Sequence, residues 1–166
     1  MRRWNGWGDD TVQATLPAGA LDFLRERVGP ARLPADLRLA EALAQVPPGR
    51  LPPHPLVQTD AEARLRASHG QSLGDWIALR QGPIGRVCDG VAFPETREDV
   101  RALLDWAQAQ GVLVIPVGGA TSVVGHLRPE ADESRPVLAL AMARLRALTD
   151  LDETAQLATF EAGVTG

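Results

Sequence analysis

The sequence contains no lysine and no tyrosine, and all 17 of its basic residues are arginine. A Walker A phosphate loop, a Schiff-base lysine and a tyrosine general acid are therefore excluded. Cys88 is the single cysteine, so neither an intramolecular disulfide framework nor a cysteine-based zinc site can form, and a cytoplasmic setting is expected. The three histidines, His54, His69 and His126, lie far apart without metal-ligand spacing, and no metal is expected. No run approaches the roughly 20 apolar residues of a transmembrane helix. The basic opening Met1-Arg2-Arg3 is followed by Trp4-Asn5-Gly6-Trp7-Gly8-Asp9-Asp10, which lacks the apolar stretch of a signal peptide. Acidic residues number 21, giving a net charge of −4 and a pI near 5.4. That balance argues against a cationic surface for nucleic acid or anionic lipid.

What remains for chemistry is arginine, histidine, carboxylates, backbone amides or a bound cofactor. At 166 residues, 45% of them hydrophobic, the chain has the size and core of one ordinary domain. Its first 57 residues are rich in turns and proline. Pro17 to Val28 reads as a helix with Leu21, Leu24 and Val28 on one face, stopped by Gly29-Pro30. Residues 36–46 read as a second. Pro47, Pro48, Pro52, Pro53 and Pro55 then favour an extended connection and mark a boundary between an appendage, 1–57, and the main unit, 58–166.

Thr59-Asp60 can cap a helix running to about His69, and Ser72 with Asp75 can cap another through Leu79. Val87 to Phe93 holds a short strand. Thr96 with Asp99 forms a shortened capping box for a helix whose apolar stripe is Val100, Leu103, Leu104 and Ala107, ended by Gly111. Val112 to Val117 is a β-branched run of the kind found in a strand buried on both faces. Strand, helix and strand together make a βαβ unit. Further strands are expected at Val137 to Leu140 and in a hairpin of Ala147 to Leu151 with Gln156 to Glu161. That final hairpin is expected to expose apolar surface and an unpaired edge, and to make the isolated chain poorly soluble.

The loop Gly118-Gly119-Ala120-Thr121-Ser122 follows the Val112 to Val117 strand directly, at the carboxyl end where α/β sheets place ligands. Adjacent glycines permit positive φ and close backbone approach, so successive N–H groups can converge on one anion. Thr121 and Ser122 add hydroxyls. The pattern is compatible with a phosphate cradle built without lysine and equally with an ordinary glycine turn; its spacing excludes the Gly-x-Gly-x-x-Gly dinucleotide fingerprint.

Pro116-Val117-Gly118-Gly119-Ala120-Thr121-Ser122-Val123-Val124-Gly125 resembles the pyrophosphate-binding loop of FAD-linked oxidases of the vanillyl-alcohol oxidase (PCMH) type, and within them the alkyldihydroxyacetonephosphate synthase branch. Trp4-Asn5-Gly6-Trp7-Gly8, His69-Gly70, Leu79-Arg80-Gln81-Gly82, Asp89-Gly90-Val91-Ala92-Phe93-Pro94, Ala131-Asp132-Glu133-Ser134-Arg135 and Glu161-Ala162-Gly163-Val164-Thr165-Gly166 agree with it, and residues 60–166 match almost continuously. The resemblance implies an α+β fold, the N-terminal portion of a PCMH-type FAD-binding domain with a βαβ unit followed by further strands. It implies non-covalent FAD, held at its pyrophosphate by Pro116, Val117, Gly118, Gly119, Ala120, Thr121 and Ser122. In the longer parent it implies the exchange of the acyl group of acyl-dihydroxyacetone phosphate for a fatty alcohol, a small-molecule or lipid-like substrate, and a homodimer. D-lactate or glycolate dehydrogenases of the same superfamily, and a truncated module without flavin, stand as alternatives. Family cap and catalytic residues have no counterpart here, so no catalytic residue is assigned. Two departures stand out. Ala120 occupies the place of a third glycine, and where covalently flavinylated relatives carry histidine. His126 replaces a residue that is usually small or apolar.

Outside this loop, Trp4 and Trp7 are expected to anchor the start of the chain. Arg80 is expected in a surface ion pair rather than on a phosphate. Cys88 is expected as a buried filler.

Overall fold

The computed structural model describes residues 3–12, 15–30 and 36–165. Met1 and Arg2 of the basic opening and Gly166 of the last motif lie outside the described residues. Helix α1 (Ala20–Val28) forms as the spacing predicts, yet Leu21, Phe23, Leu24 and Val28 all remain exposed and no residue of it is buried. Helix α2 is short (Leu39–Leu43), and the proline stretch after it carries neither helix nor strand and turns at Pro55 and Leu56, where the Val57 amide donates to the His54 carbonyl at 3.0 Å, before β1 (Val57–Gln58). Helices α3 (Ala61–Ala67) and α4 (Leu73–Gln81) begin where their caps predict: Asp60 accepts from the Ala63 amide and Ser72 from the Asp75 amide.

Strand β2 (Gly90–Ala92), helix α5 (Arg97–Ala109) and strand β3 (Leu113–Val117) follow, then β4 (Val137–Ala141), a single 3-10 turn, and the hairpin β5 (Leu148–Asp152) with β6 (Leu157–Phe160). The Thr96/Asp99 capping box opens α5, each side chain meeting the other's backbone amide. Its buried stripe is Leu103 and Ala107 with half-buried Val100 and Trp106; Leu104, expected on that stripe, is exposed.

The main sheet has the order β1-β2-β4-β3, with β2, β4 and β3 parallel and β1 antiparallel on β2. The β2–α5–β3 unit is thus split, with β4 paired between its two strands. The β-branched run expected to be buried on both faces is therefore an edge strand, and only its two ends, Val112 and Val117, are buried. Pro116 carried the contrary signal, because a residue without an amide hydrogen is confined to edge strands. Strand β4 lies between β2 and β3 and is buried throughout.

Its alternation sorts the core into two faces. Leu138 and Leu140 face α5, together with Ala92, Leu103, Ala107 and Val112. Val137, Ala139 and Ala141 face α3 and the loop after β3, together with Ala67, Val91, Val117, Ala120 and Leu127. A third cluster joins Ala42 of α2 to Leu65, Leu79, Ile84 and Val87, with Trp4 half-buried against it while Trp7 is exposed.

Chain on both sides of residue 57 shares contacts. The Arg50 guanidinium donates to both carboxylate oxygens of Asp89 at 2.9 Å and to the Ser134 and Arg135 carbonyls. Leu51 packs with Val57 against the face that α5 covers. The hairpin β5–β6 forms a separate two-stranded sheet and leaves Leu148, Leu151, Leu157 and Phe160 more than half exposed. Among the described residues no helix is long and apolar enough to cross a membrane.

Candidate functional site

Parallel pairing brings the carboxyl ends of β2, β4 and β3 to one side of the sheet, where Phe93, Ala141–Ala143 and Val117–Ala120 meet. A cavity of ≈ 580 Å³ opens there, lined also by Ala63, Arg66 and Ala67 of α3. The alanines explain the space: small side chains on this face of the sheet and on α3 leave it unfilled. A second cleft of ≈ 380 Å³ lies on the other side of Gly118 and Gly119, bounded by Ala143, Arg146 and residues 162–165. The glycine pair is thus the shared wall of two cavities at the carboxyl ends of parallel strands.

Nothing lies within 4 Å of where a side chain on Gly118 would begin, and only the Thr121 methyl, at 3.8 Å, approaches that point on Gly119. Neither glycine adopts the left-handed conformation; that role falls to Ala120, at φ 51° and buried. The reason for glycine here is therefore openness toward the cavities rather than backbone strain. The strained position is the one where alanine stands, and its methyl packs in the core.

The far end of the loop is clamped. The Ser122 carbonyl accepts from the Gln71 amide at 2.6 Å and presses on Gly70, where any Cβ would collide with it. Asp75 secures that turn, accepting from the Gly70 amide at 3.2 Å and the Ser72 hydroxyl at 2.8 Å. The Ser122 hydroxyl pairs with His126 Nδ1 at 2.9 Å, which gives His126 a partner within the loop. Gly163 donates to the Leu145 carbonyl at 2.8 Å and sits so tightly on Met142 and Leu145 that it brings residues 162–165 beside the loop.

Of the seven residues singled out from sequence, Val117, Gly118, Gly119 and Ala120 line the cavities, whereas Pro116, Thr121 and Ser122 do not. Sequence reasoning missed Arg146 and Arg66. Arg66 is paired with Glu62 and Asp10. Arg146 is exposed, donates to the Ala143 carbonyl, and has no carboxylate partner among the described residues. Arg80 pairs with Asp36 at 2.8 Å, away from both cavities. His69 is buried, its two ring nitrogens within 3.1 Å of the Leu65 and Ile84 carbonyls. Burial pushes the Cys88 thiol above its ordinary range. No cluster of metal-ligating side chains occurs among the described residues.

Residues 88–166 match the family described as an FAD binding domain. An alkyldihydroxyacetonephosphate synthase of Trypanosoma brucei brucei is 29% identical, over 99% of this chain and 32% of the relative. One of Caenorhabditis elegans is 32% identical, over 64% of this chain and 18% of the relative. A solved structure of an alkyldihydroxyacetonephosphate synthase superposes with a TM-score of 0.81 at 24% identity, over 99% of this chain and 36% of that one, a likeness of fold. The chain thus spans about a third of the length of the trypanosome relative.

Proposed function

We propose that the FAD-binding domain this chain carries, an α+β unit of the kind found in alkyldihydroxyacetonephosphate synthases, holds the cofactor's pyrophosphate on residues 116–122, with Gly118 and Gly119 at its centre. The observation that carries this reading is the open glycine pair between two cavities at the carboxyl ends of three parallel strands. The donor set suits a pyrophosphate in a chain without lysine: backbone amides of the loop and the Arg146 guanidinium at the rim. When bound, FAD supplies an isoalloxazine ring able to accept electrons. This chain's part is to bind and orient it. No histidine stands at Ala120, so attachment is read as non-covalent.

Synthesis of alkyldihydroxyacetonephosphate by a longer protein is the corresponding activity, supported by the names of the curated relatives. Residues 58–166 are read as the PCMH-type unit and residues 1–57 as an appendage docked on it through Arg50 and Leu51. A cytoplasmic location belongs to the same reading and is supported by a lone buried thiol. A homodimeric parent rests on the family resemblance.

The test is a calorimetric FAD titration of the chain and of Gly118→Val. The added side chain meets open space, so the variant should keep its circular dichroism while FAD affinity falls at least about a hundredfold, the loss expected when an amide cradle is blocked. Unchanged affinity would remove the loop from the site.

A further inference from the structure

Asp75 stands three residues after Ser72, the N-cap of α4, where an acidic side chain ordinarily closes a capping box. Helix α5 shows what such a box requires. Its Asp99 accepts from the Thr96 amide at 3.1 Å and the Glu95 amide at 3.0 Å while partly exposed. Asp75 is instead 0% exposed, and its Oδ2 reaches back past the N-cap to the Gly70 amide at 3.2 Å and takes the Ser72 hydroxyl at 2.8 Å. Oδ1 is buried without a protein partner, and Asp75 belongs to no ion pair among the described residues.

Starting a helix does not require burying a carboxylate, and an unmet buried oxygen costs stability. What the burial accomplishes lies outside α4. Residues 70–72 form neither helix nor strand, so side chains must hold them. Between the two groups that Asp75 binds, the Gln71 amide donates to the Ser122 carbonyl at 2.6 Å, and Gly70 lies flush on that same carbonyl. Ser122 ends the glycine loop, whose other end is fixed by the pairing of Val117 with Ala141 in the sheet. Between these ends Ala120 is kept at φ 51°, a conformation that alanine leaves when it is free to do so.

We infer that Asp75 is a positioning residue for the glycine loop: by holding residues 70–72 beneath Ser122, it keeps residues 118–121 in the conformation that receives the cofactor, without touching the cofactor itself. This rests on the reading of the loop as a pyrophosphate cradle.

The test titrates FAD into the wild-type chain and into Asp75→Ala, Asp75→Asn, Asp99→Ala and Gly118→Val, with amide hydrogen exchange followed by NMR. Asparagine keeps a carbonyl oxygen for the Gly70 and Ser72 donors and sets its NH2 where an oxygen is already unmet, so affinity should stay within about threefold. Alanine releases the turn, and affinity should fall about tenfold, in proportion to the molecules whose loop is no longer clamped. The Gln71 amide should then exchange faster while β4 stays protected. Asp99→Ala removes a cap carboxylate from α5 and should leave FAD affinity unchanged; a carboxylate that merely starts its helix would behave the same way at position 75. Should Asp75→Ala fail to fold, linkage gives the reciprocal test in the wild type, because FAD must tighten a clamp that favours its binding. Saturating FAD should slow local exchange at the Gly70 and Gln71 amides, and unchanged exchange there overturns the inference. Wild-type affinity in Asp75→Ala beside a weakened Gly118→Val overturns this inference alone. A wild-type chain that takes up no FAD, or a Gly118→Val that binds it as wild type does, overturns the cradle reading and this inference with it.

Discussion

Replacing Asp89 with asparagine should destabilise the protein by about 3 kcal/mol at neutral pH. The carboxylate is nearly buried and takes four donors: the Arg50 amide at 3.1 Å and Nε at 2.9 Å on one oxygen, Arg50 Nη2 at 2.9 Å and the Val137 amide at 2.8 Å on the other. Hydrogen bonds to a charged group contribute about 1.5–3 kcal/mol each, and an orphaned buried donor costs about 1–3 kcal/mol. Either orientation of the asparagine amide sets an NH2 against two of these donors, so at least one backbone or guanidinium N–H loses its acceptor. The Arg50 side chain is 44% exposed, so part of the ionic contribution is screened by water, which keeps the total well below the sum of four bonds.

The same site sets a pH signature. Burial alone would raise the Asp89 carboxyl, but the Arg50 guanidinium bond, the Val137 amide and the Arg50 charge and amide together hold it below its ordinary value. A carboxyl whose folded value is depressed stabilises the fold above its unfolded value of about 3.9, and that stabilisation is lost as pH falls through the folded value. Urea unfolding of wild type and Asp89→Asn at pH 7, 5 and 3 should therefore show a constant gap between pH 7 and 5 that narrows at pH 3. A gap at pH 7 below about 0.5 kcal/mol, the range of ordinary surface substitutions, would refute the reasoning, as would a gap that does not close in acid.

Ala120→Gly should leave stability within about 0.5 kcal/mol of wild type in urea titrations: relief of about 1–2 kcal/mol from the left-handed conformation is offset by about 0.8 for the buried methyl and about 0.4–1 for glycine's greater unfolded-state freedom. Ala120→Val, with a branched side chain at the same φ, should instead lose about 1–3 kcal/mol. Gly163→Ala should undock residues 161–165 from Met142 and Leu145, seen as loss of hydrogen-exchange protection at the Gly163 amide while β4 stays protected. Cys88, 1% exposed and with its thiol held protonated by burial, should resist a soluble disulfide reagent in the native protein and react fully in denaturant.

Local chemistry was legible in the residues wherever it depended on neighbours in the chain. The caps Asp60, Ser72 and Thr96/Asp99 start their helices in the structure, because a side chain that satisfies an amide three residues on needs no distant partner. The hairpin of β5 and β6 is local in the same sense, and its exposed leucines and Phe160 follow from a ribbon with one neighbour only. The glycine loop was legible as the candidate site, since it combines adjacent glycines with the end of an apolar strand.

Depth and assembly were not. β-branching reports how well a side chain suits a pleated strand, not how many strands flank it, so Val112 to Val117 reads as a central strand although β4 lies between β2 and β3 and leaves β3 at the edge. Which of the clustered loop residues is strained was equally hidden. Composition points to Gly118 and Gly119, while the clamp of Ser122 on Gly70 and Gln71 accompanies a left-handed turn at Ala120. Arg50, Arg64 and Arg146 look alike in sequence. Tertiary contacts alone give the first a buried carboxylate, leave the second with an unmet Nη2, and put the third at the rim of the glycine loop. The sequence by itself determined the caps, the turns and a phosphate-compatible loop without lysine, because those follow from short-range hydrogen bonding. Only the fold decided which strand lies at the edge, which arginine is neutralised and what the loop faces, because burial and charge pairing are set by residues far apart in the chain.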